Sequence, residues 1–383
     1  MVTGPGHHAP QLISALHTIL NEDFYYTTYW PQFAHYIKRA DGTDVLVQKG
    51  GWQYFVHKLV WSIAARIPWL KHKNKHLDWS YTLYDLYVKS RYDKEPILWA
   101  WAQMSLYTMQ KALEHKANVI LEYPMIHCDE WSEILKAYVG AKAYSKSYSC
   151  FSNYMSRVMQ KEIQLTCKIN VLSSYAKATF ISQGVSETKI NISHLYIDHK
   201  KFDRHSGTSQ VNPEKLRLLF VGRAEILKGI PNLVKALKQI DFDYELHMVG
   251  TIYPEVNDLL SEIEPNLRFH GQLNAEALTN MYHHCHVLVL PSVQESFGLV
   301  ILEALSCGLP VLASKNTGAP DIIQHKINGY IFDPFDTDEI VDGLIFFNNN
   351  IVKDLESFNA SLSTVWAKYS DTQYRSDIKH ILD

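Results

Sequence analysis

The chain has 383 residues, 46% of them hydrophobic and 20% charged, with a formal net charge of −3. That length suits two domains better than one core, and the near balance of charge argues against a general nucleic-acid binder. Five scattered cysteines (Cys128, Cys150, Cys167, Cys285, Cys307) lack paired spacing, so neither a disulfide framework nor a zinc site is expected.

Reduced thiols, no leader segment ahead of the first strand and no apolar run near the roughly 18 residues of a membrane span together predict a cytoplasmic protein. The sequence opens with a predicted strand at Met1–Thr3, then Gly4, Gly6, His7 and a helix face of Leu12, Ile13, Leu16, Ile19 and Leu20. A Rossmann-like half begins with a strand of about five residues, so this one is unusually short or its start has been trimmed. Gly4-x-Gly6-x-x-Ala9 satisfies the dinucleotide fingerprint formally, but the acidic residue needed about 20 positions on is missing from the second predicted strand, Phe24–Trp30. A dehydrogenase is therefore set aside.

From Gly51 to Lys89 the chain is basic and aromatic. Between Lys58 and Lys75 five basic residues face no acidic one, interleaved with Trp61, Ile63, Ile67, Trp69 and Leu70. Two readings stand: a segment (residues 52–76) lying in a membrane interface, or a helix packed on its own domain with a solvated basic face, with Pro68 kinking either. Ile97–Leu113 predicts a helix, and Asn118–Tyr123 a buried strand leading to His127. Cys167–Leu172 is the next strand, Ser173–Lys177 opens a helix, and the polar stretch Arg204–Lys215 reads as a linker.

The second half alternates strands (Leu216–Val221, Tyr244–Val249, Leu267–His270, Val287–Leu290, Pro310–Ala313, Tyr330–Phe332) with helices at about Pro231–Gln239, Pro254–Ile263, Ala275–His283, Phe297–Ser306 and Ala319–Gln324. Such alternation means a parallel doubly wound sheet with its ligand beyond the strands' carboxyl ends. The most informative stretch is Val287–Val311. A helix opening at Ser296 would leave the amides of Phe297, Gly298 and Leu299 free for an anion or polyol. Glu295 and Glu303, eight positions apart, read either as hydroxyl acceptors or as a surface loop residue and a solvated helix residue.

PSVQESFGLVILEALSCGLPVLAS resembles the E-x7-E region of retaining glycosyltransferases of family 4. The likeness extends through LLFVGRAEILKGIPNLVKAL, LRFHGQLNAEALTNMYHHCHVLVLPS and NTGAPDIIQHKINGYIFDPFDTDEI, over residues 216–345 in order. The resemblance implies an α/β chain of GT-B fold, two facing Rossmann-like domains with a deep interdomain cleft. It divides the chain into an acceptor-side domain (1–203), a linker (204–215), a nucleotide-sugar domain (216–363) and a helical segment crossing back (364–383).

The function so implied is transfer of a sugar from a nucleoside-diphosphate sugar, the donor substrate, to an acceptor hydroxyl with retention. The acceptor would be a glycan or a lipid-linked or protein-linked saccharide, sought in the aromatic-rich first half. Gly222, Arg223 and Lys228 would meet the diphosphate, Glu303 the ribose, Glu295 the donor sugar, Gln272 the base region, and Ser296, Phe297, Gly298 and Leu299 sugar or phosphate oxygens. His127 would point toward the donor sugar, and Gly4, Gly6 and His7 would line the cleft; Thr317 and Gly318 lie in a neighbouring turn. His127, Glu295, Arg223 and Lys228 are the expected catalytic set. No prosthetic group is expected, and no metal, because neither half carries Asp-x-Asp at a site-like position. The alternatives are a nucleotide-sugar epimerase and a non-catalytic binding or assembly subunit.

Overall fold

A computed structural model describes residues 2–4, 9–20, 26–28, 75–140, 151–198, 215–350 and 355–383. Short apolar runs without internal turns satisfy their backbone groups best in a parallel sheet covered by helices. The described residues form two such sheets of six strands. The chain divides accordingly into two compact α/β units: Met1–Leu172, Lys177–Ser193 and Tyr374–Asp383 in the first, Ser173–Ala176 and His194–Gln373 in the second.

The first unit contains β1 (Val2–Gly4), α1 (Ala9–Leu20), β2 (Tyr26–Thr28), α2 (Lys75–Arg91), β3 (Ile97–Trp101), α3 (Leu106–Glu114), β4 (Asn118–Glu122), α4 (Cys128–Val139), α5 (Asn153–Leu165), β5 (Lys168–Val171), α6 (Ser174–Ser182) and β6 (Ile190–Ile192). Its strand order is β2-β1-β3-β4-β5-β6, every pair parallel. The first strand is indeed only three residues long, yet it pairs with neighbours on both sides.

Ile97–Leu113 is not one helix. ILWAW forms β3, a turn follows, and only Leu106–Glu114 is helical. Five consecutive apolar residues leave no polar face for a half-buried helix, and here Leu98 to Trp101 are all buried. Ser105 closes the turn, its hydroxyl donating to the Trp101 carbonyl at 2.8 Å and accepting from the Trp101 amide at 3.1 Å. Two buried carboxylates from other helices then serve the start of α3. Asp85 accepts the Tyr107 and Thr108 amides at 2.6 and 2.9 Å; Glu162 accepts those of Gln103 and Ser105 at 2.7 and 2.9 Å. Burial pushes the Glu162 carboxyl up to about 8, against the downward pull of those amides.

The second unit contains β7 (Leu216–Ala224), α7 (Ile230–Leu237), β8 (Tyr244–Ile252), α8 (Asn257–Ser261), β9 (Leu267–Gly271), α9 (Ala275–His284), β10 (Val287–Leu290), α10 (Leu299–Ser306), β11 (Val311–Ser314), α11 (Ala319–Ile322), β12 (Gly329–Phe332), α12 (Thr337–Asn350), α13 (Leu355–Lys368) and α14 (Asp371–Leu382). The helix expected over Pro254–Ile263 is cut to α8 between 3-10 turns at Pro254–Val256 and Glu264–Asn266. Leu218, Phe220, Leu233, Leu246, Val289 and Leu312 are among the residues filling the core. The strand order is β9-β8-β7-β10-β11-β12. That is the doubly wound Rossmann order, in which the chain reverses its winding direction between β7 and β10.

The last turns of α14 belong to the first unit, where Tyr374, Ile378 and Ile381 are buried and the Lys168 ammonium donates to the Ile381 carbonyl at 2.6 Å. Among the described residues no helix is long and apolar enough to cross a membrane. Of the basic aromatic segment Gly51–Lys89 only Lys75–Lys89, in α2, is among the described residues, and of the linker expected at 204–215 only Lys215.

Candidate functional site

In a doubly wound sheet the two loops that leave adjacent strands in opposite directions open a crevice beyond their carboxyl ends. Here those loops follow β7 and β10. Gly222 and Arg223, expected just after a strand ending at Val221, lie within β7, which runs on to Ala224; they pair with Gly250 and Thr251. A 3-10 turn, Ile226–Lys228, then leads into Gly229, whose φ is 71°. A side chain there would put Cβ 1.7 Å from the Pro291 carbonyl oxygen. The missing side chain lets the Lys228–Gly229 turn sit directly on the loop after β10, and the Val293 amide bonds the Leu227 carbonyl at 2.9 Å.

That seating brings Lys228 to Glu295. The ammonium lies 2.9 Å from Oε2, with the two side chains 19% and 22% exposed, so the pair is largely shielded from water. The Ser292 hydroxyl donates to the same oxygen at 3.1 Å, and the Glu295 amide donates to the Asn316 carbonyl at 2.9 Å. Arg223 is placed differently: 61% exposed, its guanidinium 3.1 Å from buried Glu225. In this structure the two cations have separate partners.

The helix after the loop opens at Leu299, not at Ser296, because Gly298 takes a left-handed φ of 89° and interrupts the spiral. The amides of Phe297 and Gly298 are therefore turn amides. The carbonyls of this turn are committed: Ser296 accepts the Ser173 hydroxyl, Phe297 the Gly318 amide at 2.8 Å, and Gly298 the Ile301 amide at 2.9 Å. The amides of Phe297, Gly298 and Leu299 donate to no group among the described residues. What the turn has left to offer is donors, the polarity an anion or a sugar oxygen requires. The Phe297 ring is 2% exposed and packs beside His194 and Tyr369.

One turn into α10, Glu303 accepts a 2.6 Å hydrogen bond on Oε2 from the hydroxyl of Tyr282, a residue of α9 that is 1% exposed. Burial raises the Glu303 carboxyl, and the tyrosine bond draws it back down. Thr317 is fully buried, its hydroxyl donating to the Ser314 carbonyl and accepting the Ala319 amide, so it holds a turn together. Gln272 is exposed and bonds the Thr251 hydroxyl at 3.2 Å.

In the first unit, Gly4 ends β1, while Gly6 and His7 lie outside the described residues. His127 is the residue before α4. Its Nδ1 accepts the Asp129 amide at 3.2 Å and its ring packs edge-on against Phe180. Nδ1 is thus the unprotonated nitrogen, the proton sits on Nε2, and burial keeps the imidazole neutral by lowering its pKa. Donor atoms of His127, Cys128 and Asp129 lie within 4.8 Å of one another. They make a poor metal set: Nδ1 is occupied, burial pushes the thiol up to about 12, and both Asp129 oxygens accept from Gln160 at 2.9 Å.

Sequence reasoning missed Tyr282, Ser292, Asn316 and Gln294, the last 3% exposed with both ends of its amide unpartnered. Ser292 stands three positions before Glu295 and was within reach of the motif. Tyr282 and Asn316 meet the acidic pair only through the fold.

Residues 201–359 match the family described as Glycosyl transferases group 1. An uncharacterized glycosyltransferase of Methanocaldococcus jannaschii is 26% identical over 289 residues, 65% of this chain and 72% of that one. With other curated relatives the chain spans about half or less of their length. Among solved structures, sucrose-phosphate synthase from Thermosynechococcus elongatus covers 100% of this chain and 97% of its own, with a TM-score of 0.71 at 17% identity. Anabaena HepE in complex with UDP gives 100% and 98%, with a TM-score of 0.66 at 16% identity. The fold is thus of the GT-B type, and the chain carries a glycosyl transferases group 1 domain.

Proposed function

We propose that the chain is a retaining glycosyltransferase that moves a sugar from a nucleoside-diphosphate sugar to an acceptor hydroxyl without a metal ion. The carrying observation is the meeting, at the switch point between β7 and β10, of the Lys228–Glu295 pair with a turn whose carbonyls are engaged and whose amides, among the described residues, are not. Such a site takes a phosphate and a polyol together.

In this reading Lys228 exchanges Glu295 for the diphosphate, and Arg223 swings from Glu225 to the same charge. Fixed positive charge stabilises the leaving group as the glycosidic bond lengthens. Glu295, released, accepts from hydroxyls of the transferred sugar, and Glu303 accepts from the ribose. The amides of Phe297, Gly298 and Leu299 take sugar or phosphate oxygens. The thiols of Cys128 and Cys307 are pushed up to about 12 by burial and make poor covalent nucleophiles. Attack from the side of the departing phosphate, which then accepts the acceptor's proton, explains retention. His127 contributes a neutral Nε2–H donor. HepE was solved with UDP, which makes a uridine donor the first to try.

The test is a thermal-shift screen with UDP, GDP, ADP and their common sugar conjugates, repeated on Arg223→Ala and Glu303→Ala. A ligand at about 100 times its Kd adds roughly 2.7 kcal/mol of stability. One nucleotide should stabilise the wild type and neither variant. No shift with any nucleotide would sink the proposal. With the donor known, the anomeric configuration of the product by NMR tests retention, and full turnover in EDTA tests metal independence.

A further inference from the structure

Resting on the reading of α10 as the seat of a nucleotide, we propose that Tyr282 is a positioning residue: its buried phenol fixes Oε2 of Glu303 and turns Oε1 toward the ribose hydroxyls. The phenol donates to Oε2 at 2.6 Å, so its proton lies between the two oxygens. Tyr282 comes from α9, and its 1% exposure means that the ring has no room to follow a wandering carboxylate.

A glutamate side chain has three rotatable bonds, and a ligand that must order it loses affinity in doing so. Tyr282 removes that cost beforehand. It also divides the carboxylate: Oε2 is taken, and no group among the described residues donates to Oε1. The free oxygen keeps two lone pairs, enough for two neighbouring hydroxyls. The same bond favours the charged acid in a place where burial opposes charge. The expected consequence is discrimination by the sugar of the nucleotide: a molecule without ribose hydroxyls gains nothing from Tyr282.

The experiment measures by calorimetry the Kd of UDP and of its 2′,3′-dideoxy analogue for the wild type, Tyr282→Phe, Glu303→Gln and the double variant. The wild type should prefer UDP. Tyr282→Phe should weaken UDP about tenfold, in keeping with loss of a hydrogen bond to a charged group, and leave the dideoxy analogue within about twofold. In the Glu303→Gln background, where the ribose preference should already be lost, Tyr282→Phe should change neither affinity. Equal losses for both nucleotides, or an undiminished effect in that background, would make Tyr282 a structural residue and overturn the proposal. If Tyr282→Phe does not fold, Tyr282→Met, which fills the pocket without a donor, is read against the same two nucleotides with the same two outcomes. Failure of the underlying reading looks different: the wild type would bind none of UDP, GDP and ADP.

Discussion

Lys228 and Glu295 are joined by 2.9 Å in a setting with little water, so removing either leaves the other as a half-buried charge without its counter-ion. Lys228→Ala should therefore lower both the melting temperature and the affinity for a nucleoside diphosphate, whereas Glu295→Gln should spare nucleotide affinity and lower turnover by about 100-fold or more. Steady-state kinetics alongside calorimetry separates the two. Protonating His127 at Nδ1 would break its bond from the Asp129 amide and turn the ring, so an acid limb of kcat/KM due to it should lie below pH 6.5, where burial depresses its pKa, and vanish in His127→Gln. At this scale the sequence was most legible where chemistry and spacing coincide: Lys228 before a glycine, two glutamates eight apart. It was silent where a side chain meets the site from another helix, as Tyr282 does, because no local pattern records a contact made by folding.

Gly229 shows how one missing side chain sets the relation between two loops. Its positive φ and the backbone oxygen 1.7 Å from where a Cβ would lie leave an added methyl nowhere to go. Gly229→Ala should cost about 2 kcal/mol or more in urea unfolding and weaken nucleotide binding by displacing Lys228. Asp85→Ala should likewise destabilise the first unit by about 1–3 kcal/mol, since it strips the acceptor from two α3 amides. Elements were read well where apolar strands alternate with helices, through most of the second unit. The errors have physical sources. Ile97–Leu113 joined a buried strand to a helix because an apolar run fits either period, and α10 was started three residues early because the left-handed turn at Gly298 leaves no mark on hydrophobic spacing.

Across the whole molecule, acid stability is governed by histidines far from the switch-point loops. His247 on β8 faces His270, His284, Glu245 and Arg217; His286 faces Arg217, His284 and His247. Burial first, then the neighbouring histidines and Arg217, lowers both to about 4, with Glu245 pulling His247 the other way, so at pH 5 the unfolded chain binds protons that the folded one refuses. The contribution of these two histidines should be full above about pH 6.5 and fall as the pH drops toward 4, each adding a slope of up to ~1.4 kcal/mol per pH unit, while the raised carboxyl of Glu162 acts with the opposite sign and costs stability as the pH rises toward 8. Urea midpoints at pH 7.5, 6 and 5 check this, and His286→Asn should flatten the curve. The pairing of Lys228 with Glu295 has a kinetic side as well. On a chain of net charge −3, a lysine cancelled by its neighbour draws no diphosphate from a distance. Arg223 is paired as well, with Glu225, but at 61% exposure against 19% it is the cation an arriving diphosphate meets first. In stopped-flow mixing, Arg223→Ala should slow association and flatten its dependence on ionic strength, while Lys228→Ala should act mainly by hastening departure.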